Sequence, residues 1–325
     1  MSMTSSPKDI TLLISDNVWA REGDAIRDIL PSVRPAIYEG NDPLAPEIVS
    51  SIDIAFYSSD LWPERSRGIA LSIIQANNLK WLHTFSAGVD NPFFKQLGER
   101  GVRLSNSSGA TASPIAQTAL LYMLALSRNV RAWMQHQDAR EWQRHEFDEL
   151  DGARLAVIGM GPIGVEIARL GVAFNMNVEA IRRTPTGQEP CPTYGFDKLD
   201  DVLSRADWVA VALPLTNETV NLFTHERLSR IKPGARFINV GRGELVDEPA
   251  LIAHLQSGHL AGAGLDVFAT EPLPEESPLW SMPNVIVTPH SSGASPQSAL
   301  RAEKIFVENF RRYINGQPLH NEVQP

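Results

Sequence analysis

The chain has 325 residues, 43% hydrophobic and 21% charged, with a formal net charge of -9. That length exceeds what one hydrophobic core usually supports, so two domains are expected. The acidic balance disfavours a general nucleic-acid surface, and no apolar run reaches the ~18 residues a membrane span needs.

The polar N-terminal residues lack an apolar signal core, and the single cysteine, Cys191, excludes an intramolecular disulfide framework. Both features suit a reducing cytoplasm. Strands are expected at 10–14, 52–57, 80–84 and 102–105, with a helix over 20–30. This βα alternation implies a parallel sheet. Asn106-Ser107-Ser108-Gly109 reads as a turn, and Ser113-Pro114 as an N-cap with proline in the first turn of a helix. That helix runs through the apolar segment 115–126. A second helix, over 130–144, carries Trp133 and Trp142, which cover either the chain's own core or a subunit contact.

A second βα series follows, with strands at 154–159, 178–181, 208–213, 236–240, 262–267 and 285–287. Six strands is the number of a complete dinucleotide-binding sheet. The last helix, over 295–315, sets Leu300, Ile305, Phe306, Phe310 and Ile314 at helical spacing.

Between the first strand of that series and its helix lies Gly159-Met160-Gly161-Pro162-Ile163-Gly164. A GxGxxG run alone is weak evidence, but its place between strand and helix is what a dinucleotide fingerprint requires. Gly159 allows the tight turn, Gly161 the approach of a pyrophosphate, and Gly164 close helix–strand packing. The helix N-terminus then offers free amides to phosphates. An NAD-specific site would carry Asp or Glu about twenty residues on. Here the strand ends in Arg182-Arg183-Thr184, with Arg182 18 positions after Gly164. Two guanidiniums suit the 2′-phosphate of NADP, which a carboxylate would repel. NADP(H) is therefore preferred, with NAD(H) left open.

Three residues follow in order: Arg242 in Val240-Gly241-Arg242-Gly243, Glu271 in Thr270-Glu271-Pro272, and His290 in Thr288-Pro289-His290. With the fingerprint, they resemble the D-isomer-specific 2-hydroxyacid dehydrogenase family. The resemblance covers nearly the whole chain, most specifically 150–293. It implies an α/β protein of two Rossmann-like domains with parallel sheets and the active site in the interdomain cleft. Residues 1–107 and 294–325 would form the substrate domain, and 108–293 the dinucleotide-binding domain.

The implied reaction is reduction of a small 2-oxo acid to the D-hydroxy acid, with glyoxylate and hydroxypyruvate the first candidates. Arg242 would pair with the substrate carboxylate, His290 would protonate the keto oxygen, and Glu271 would orient His290. The resemblance also implies cofactor contacts from Leu213, Pro214 and Thr219, from the Val240-Gly241 backbone, from Asp266 to the carboxamide, and from Ser292. Thr84-Phe85-Ser86-Ala87-Gly88-Val89-Asp90 resembles the substrate loop, in which the amides of Ala87 and Gly88 would cradle the carboxylate. Ser59 would also face the substrate. A homodimer is implied, with 113–144 as the suspected contact, and no metal, nucleic-acid or membrane partner is expected.

Two other readings stand beside this one. One is a non-enzymatic dinucleotide sensor of the corepressor type, expected to carry long disordered extensions and a peptide groove. The other is a dehydrogenase of another small anion. Phosphite remains open there, while formate is disfavoured because Glu271 stands where formate enzymes pair the histidine with an amide.

Overall fold

The computed structural model describes residues 9–323. The chain divides into two compact units, Met1–Thr111 with Ser295–Pro325, and Ala112–Ala294. Each is built on one sheet. The first unit holds β1 (Thr11–Ser15), β2 (Arg34–Tyr38), β3 (Ile54–Tyr57), β4 (Trp81–Thr84) and β5 (Arg103–Asn106). The second holds β6 (Arg154–Ile158), β7 (Asn177–Ile181), β8 (Thr193–Tyr194), β9 (Trp208–Val211), β10 (Arg236–Asn239), β11 (Gly262–Leu265) and β12 (Val285–Val287). A last strand, β13 (Glu322–Val323), returns to the first unit.

In the first unit the strand order is β13-β5-β4-β3-β1-β2, parallel except for β13 against β5. Leu13, Ala55 and Leu82 pack on one face, and Leu12, Ile54, Phe56 and Trp81 on the other. Period-two alternation between two buried faces is why these strands read as continuous apolar runs. The helix Pro296–Ile314 belongs to the second of these layers: Phe306 stacks on Phe56 with ring centroids 4.4 Å apart. Ser295 caps it by accepting the Ser298 amide at 3.1 Å.

The second unit has a seven-stranded parallel sheet, β12-β11-β10-β9-β6-β7-β8. This is the doubly wound order, which reverses direction between β6 and β9. Phe237 and Leu265 pack on one face, Val157 and Ile238 on the other. Six strands were expected; β8 is the seventh, and two residues are too short to leave a periodic signal. β2 and β13 in the first unit were also not expected.

Three helix expectations shift, the first being the helix expected over 20–30, which spans Asp16–Ile29 and is capped by Ser15. The helix Ala112–Ser127 begins before Ser113, whose hydroxyl accepts from Gln117 inside the first turn instead of capping it. The next helix, Val130–Ala139, ends where Arg140 turns left-handed at φ 57°, five residues short of the expected 144. Trp142 therefore lies beyond the helix, not on it.

Candidate active site

One register row organises the second unit. Ile181, Ile158, Val211, Asn239, Leu265 and Val287 are aligned partners across β7, β6, β9, β10, β11 and β12. Because the strands are parallel, the residues just after this row all emerge at the carboxyl edge, where doubly wound sheets bind ligands. Arg182, Gly159 and Asp266 follow the row by one position and Leu213 by two. Arg242 and His290 both follow it by three (242 − 239 and 290 − 287).

His290 Nδ1 lies 2.8 Å from Glu271 Oε2. Glu271 is itself held, because Oε1 accepts the Phe268 amide at 3.1 Å. A carboxylate on Nδ1 fixes the tautomer and leaves Nε2 for other chemistry. The imidazole is 47% exposed, so a small molecule can reach it. The His290 backbone is left-handed at φ 48°, unusual for a residue with a side chain. It is held there by bonds on both sides. His290 N donates to Asp266 O at 2.8 Å, and the buried Asp266 carboxylate accepts the Ser291 amide at 3.0 Å and the Ser292 amide at 3.1 Å. Thr288 and Ser292 donate their hydroxyls to the same carboxylate, and the Tyr122 hydroxyl bonds Thr288. Burial pushes the Tyr122 phenol well above its ordinary value, so it is a neutral donor.

Arg242 leaves β10 on a turn clamped by Asn239, which is almost fully buried. Asn239 Nδ2 donates to Arg242 O at 2.9 Å and Oδ1 accepts the Gly241 amide at 3.0 Å. The glycines flanking Arg242 are required by the packing of the chain itself. A Cβ on Gly243 would lie 1.9 Å from the Phe268 carbonyl carbon, and one on Gly241 would lie 2.8 Å from Leu213 O. The chain's own backbone fills that space.

The fingerprint loop suits a dinucleotide. Gly159 has φ 104°, and a Cβ on Gly164 would meet Gly159 O at 1.8 Å, so strand and helix touch through backbone. Before Gly161, by contrast, there is open space. The helix Pro162–Ala173 starts there with no side-chain cap, leaving its first amides to a ligand, while Met160 is buried and Ile163 packs on the core. In the loop after β9, the Thr219 hydroxyl bonds Pro214 O and the Thr216 amide, each at 2.8 Å, so it shapes the turn from within. At the end of β7, Arg182 pairs with Glu189 at 2.7 Å and Arg183 with Glu218 at 2.6 Å, while Thr184 is exposed. Neither carboxylate stands out in the sequence.

In the first unit, the loop after β4 is held by its carbonyls. Asn106 Nδ2 donates to Ala87 O at 2.6 Å, Ser107 N to Ser86 O at 3.2 Å, and Ser86 Oγ to Gly88 O at 2.8 Å. The amides of Ala87 and Gly88 have no protein partner among the described residues. Ser59 opens a short 3-10 turn after β3, Ser59–Leu61, and lies apart from these bonds. Among the described residues, no group of three or more His, Cys, Asp or Glu side chains could hold a metal ion, and no helix is long and apolar enough to cross a membrane.

A doubly wound sheet with an Arg, a Glu–His pair and a glycine fingerprint at its carboxyl edge defines a nicotinamide-dependent dehydrogenase. Residues 120–292 match the family model for the NAD binding domain of D-isomer specific 2-hydroxyacid dehydrogenases, and the chain belongs to that family. It is 35% identical over 263 residues to glyoxylate/hydroxypyruvate reductase B of Yersinia pseudotuberculosis serotype O:3 (strain YPIII), covering 77% of this chain and 79% of that one. Among solved structures, a D-isomer specific 2-hydroxyacid dehydrogenase family protein from Aeromonas salmonicida matches with a TM-score of 0.81 at 33% identity, covering 97% of this chain and 99% of the other. A D-isomer specific 2-hydroxyacid dehydrogenase from Xanthobacter autotrophicus Py2, in complex with NADPH and MES, matches at 0.77 and 31%, covering 97% and 98%. The chain is thus an NAD(P)-dependent oxidoreductase.

Proposed function

We propose that this dehydrogenase reduces glyoxylate to glycolate or hydroxypyruvate to D-glycerate and prefers NADPH. The observation that carries the chemistry is the 2.8 Å bond between His290 Nδ1 and Glu271, at the sheet edge that also carries Arg242. The similarity to glyoxylate/hydroxypyruvate reductase B supports the substrate class, and the neighbour with NADPH supports the cofactor.

Bound nicotinamide supplies the hydride to the keto carbon. Arg242 pairs with the substrate carboxylate and draws charge toward the keto oxygen. His290 gives the proton from Nε2 to that oxygen. Glu271 stabilises the imidazolium until the proton leaves, and such general acid catalysis contributes roughly 10²–10⁴-fold. Asp266 holds the His290 turn, and a cofactor carboxamide would share its oxygens with Ser291 and Ser292. Gly159–Gly164, Leu213, Pro214, Val240 and Gly241 would hold the cofactor. In the first unit, the unpartnered Ala87 and Gly88 amides support carboxylate binding, with Ser59 as a further substrate contact. We also propose a homodimer.

The test follows NADPH and NADH oxidation with glyoxylate, hydroxypyruvate, pyruvate, phenylpyruvate and 2-ketogluconate. Oxidation favouring NADPH with glyoxylate and hydroxypyruvate is expected. Arg242→Ala should lose at least about 10²-fold in kcat/KM while keeping NADPH affinity within about twofold. Unchanged turnover in that variant removes Arg242 from the chemistry.

A further inference from the structure

We propose that Glu218 is a specificity-determining residue, a latch on Arg183 that the 2′-phosphate of NADP(H) must displace. The inference rests on the reading that this site takes NADPH, and it divides the labour between two neighbouring arginines that the sequence presents as equivalent.

Arg182 is built into its loop. Its partner Glu189 is enclosed, with a side chain 4% exposed, and Glu189 Oε1 also accepts the Thr186 amide and hydroxyl, each at 2.8 Å. Those bonds, the Thr186 amide foremost, hold the Glu189 carboxyl down to about 2, so it is ionised at any working pH. A carboxylate with three donors on one oxygen does not readily give up its arginine. Arg182 therefore closes the 182–189 loop and stays with Glu189.

Arg183 is placed differently. Its partner comes from a second loop: Glu218 follows β9, whereas Arg183 follows β7, and these strands flank β6 on its two sides. The ion pair therefore bridges the two loops bordering the strand that delivers the glycine fingerprint. Both side chains are open to water, 72% and 73% exposed, so the pair is screened and weak. A phosphate offers the same guanidinium a bidentate, doubly charged partner. The four side chains together carry no net charge, two arginines against two glutamates. Breaking the Arg183 pair is what releases a positive charge for the phosphate. A ribose hydroxyl brings no charge to displace Glu218. The latch therefore lowers affinity for NADPH and leaves NADH nearly untouched, restraining a preference the arginines alone would make steeper.

The test titrates NADPH and NADH, read by cofactor fluorescence without substrate, into the full-length protein and its Glu218→Gln, Arg183→Ala and doubly substituted forms. Glu218→Gln should tighten NADPH about two- to fivefold, the range a weak exposed pair allows, with NADH changing far less. The gain should shrink at ~0.5 M salt, where exposed pairs are already screened. Arg183→Ala should weaken NADPH about tenfold and make Glu218→Gln silent in the double variant. If Arg183→Ala weakens NADPH but Glu218→Gln changes nothing, or tightens both cofactors equally, the latch is overturned and the arginine clamp stands. If neither Arg183→Ala nor Arg182→Ala alters NADPH relative to NADH, the NADPH reading falls and takes the latch with it.

Discussion

Gly243 joins the two halves of the proposed chemistry. Its α-carbon presses on the Phe268 backbone, and the Phe268 amide donates to Glu271. The turn that presents Arg242 and the segment that presents Glu271 are thus packed as one unit, with no side chain between them. A methyl group at 243 would sit 1.9 Å from one backbone carbon and 2.0 Å from its oxygen, and backbone cannot rotate away as a side chain tip can. Gly243→Ala must therefore move either Arg242 or the Glu271–His290 pair. Displacements of about 1 Å in a reacting group cost on the order of 10²-fold. We expect Gly243→Ala to lose roughly that factor in kcat, a loss larger than any change in NADPH affinity, because the glycine fingerprint follows β6 and not β10. Steady-state kinetics beside a cofactor titration would check it. Parental kcat would mean the Arg242 turn tolerates displacement and the packing argument is wrong.

At the scale of an element, β4 shows how a buried polar residue can be fully satisfied. Trp81 Nε1 donates to Ser105 Oγ at 2.8 Å, so the Ser105 proton points to His83 Nδ1 at 2.7 Å. His83 Nε2 then donates to Ser107 Oγ at 3.0 Å, and Ser107 donates to Thr84 O at 3.0 Å. The chain of donors fixes His83 neutral with its proton on Nε2. Burial pushes its pKa down to about 3 from the ordinary 6.5. As pH falls through 6.5, the unfolded chain takes up this proton while the folded one refuses it until about 3. Stability therefore drops across that window by up to about 1.4 kcal/mol per pH unit, and the contribution is intact above it. His83→Gln should lower Tm at pH 7, yet show a smaller further fall between pH 7 and 5 than the parent. Equal falls in both proteins would assign the acid sensitivity to other groups.

The same strand marks the limit of what a sequence displays. Most of the buried strands announce themselves, β2 being an exception, as do the fingerprint and the Arg, Glu and His motifs, since each lies within a few consecutive positions. Partners far along the chain do not. Tyr122 bonds Thr288 from 166 positions away, and Glu218 reaches Arg183 from 35. Asn239 sits only three residues before Arg242, but as the last residue of an apolar strand it reads as a strand end. What was hidden is the set of side chains that hold the site, because their meaning depends on direction and not on spacing.

For the whole molecule, the unexplained surface is the arm after Ser127. The helix Val130–Ala139 has no buried residue. Trp133 is 42% exposed, Met134 60% and Phe147 44%, and Trp142 at 98% touches almost nothing of its own chain. The sequence left open whether the tryptophans cover the core or a partner, and that exposure removes the first choice for Trp142. Leaving an indole in water forgoes the free energy that its burial would release, and larger contiguous apolar patches mark protein interfaces. Tryptophans at the centre of an interface can each contribute ~2 kcal/mol or more. A second copy of this chain is the occupant we propose, by analogy with the symmetric pairs that dominate soluble assemblies. Trp142→Glu would place a charge in that interface, twice over in a two-fold dimer. Sedimentation velocity should show the parent at about 70 kDa, twice the 35.8 kDa chain, and the variant near the single-chain mass at micromolar concentration. The variant should keep its cofactor affinity, since the fingerprint lies elsewhere in the unit. A parent that sediments as a single chain, or a variant that remains paired, would show that these tryptophans serve another purpose.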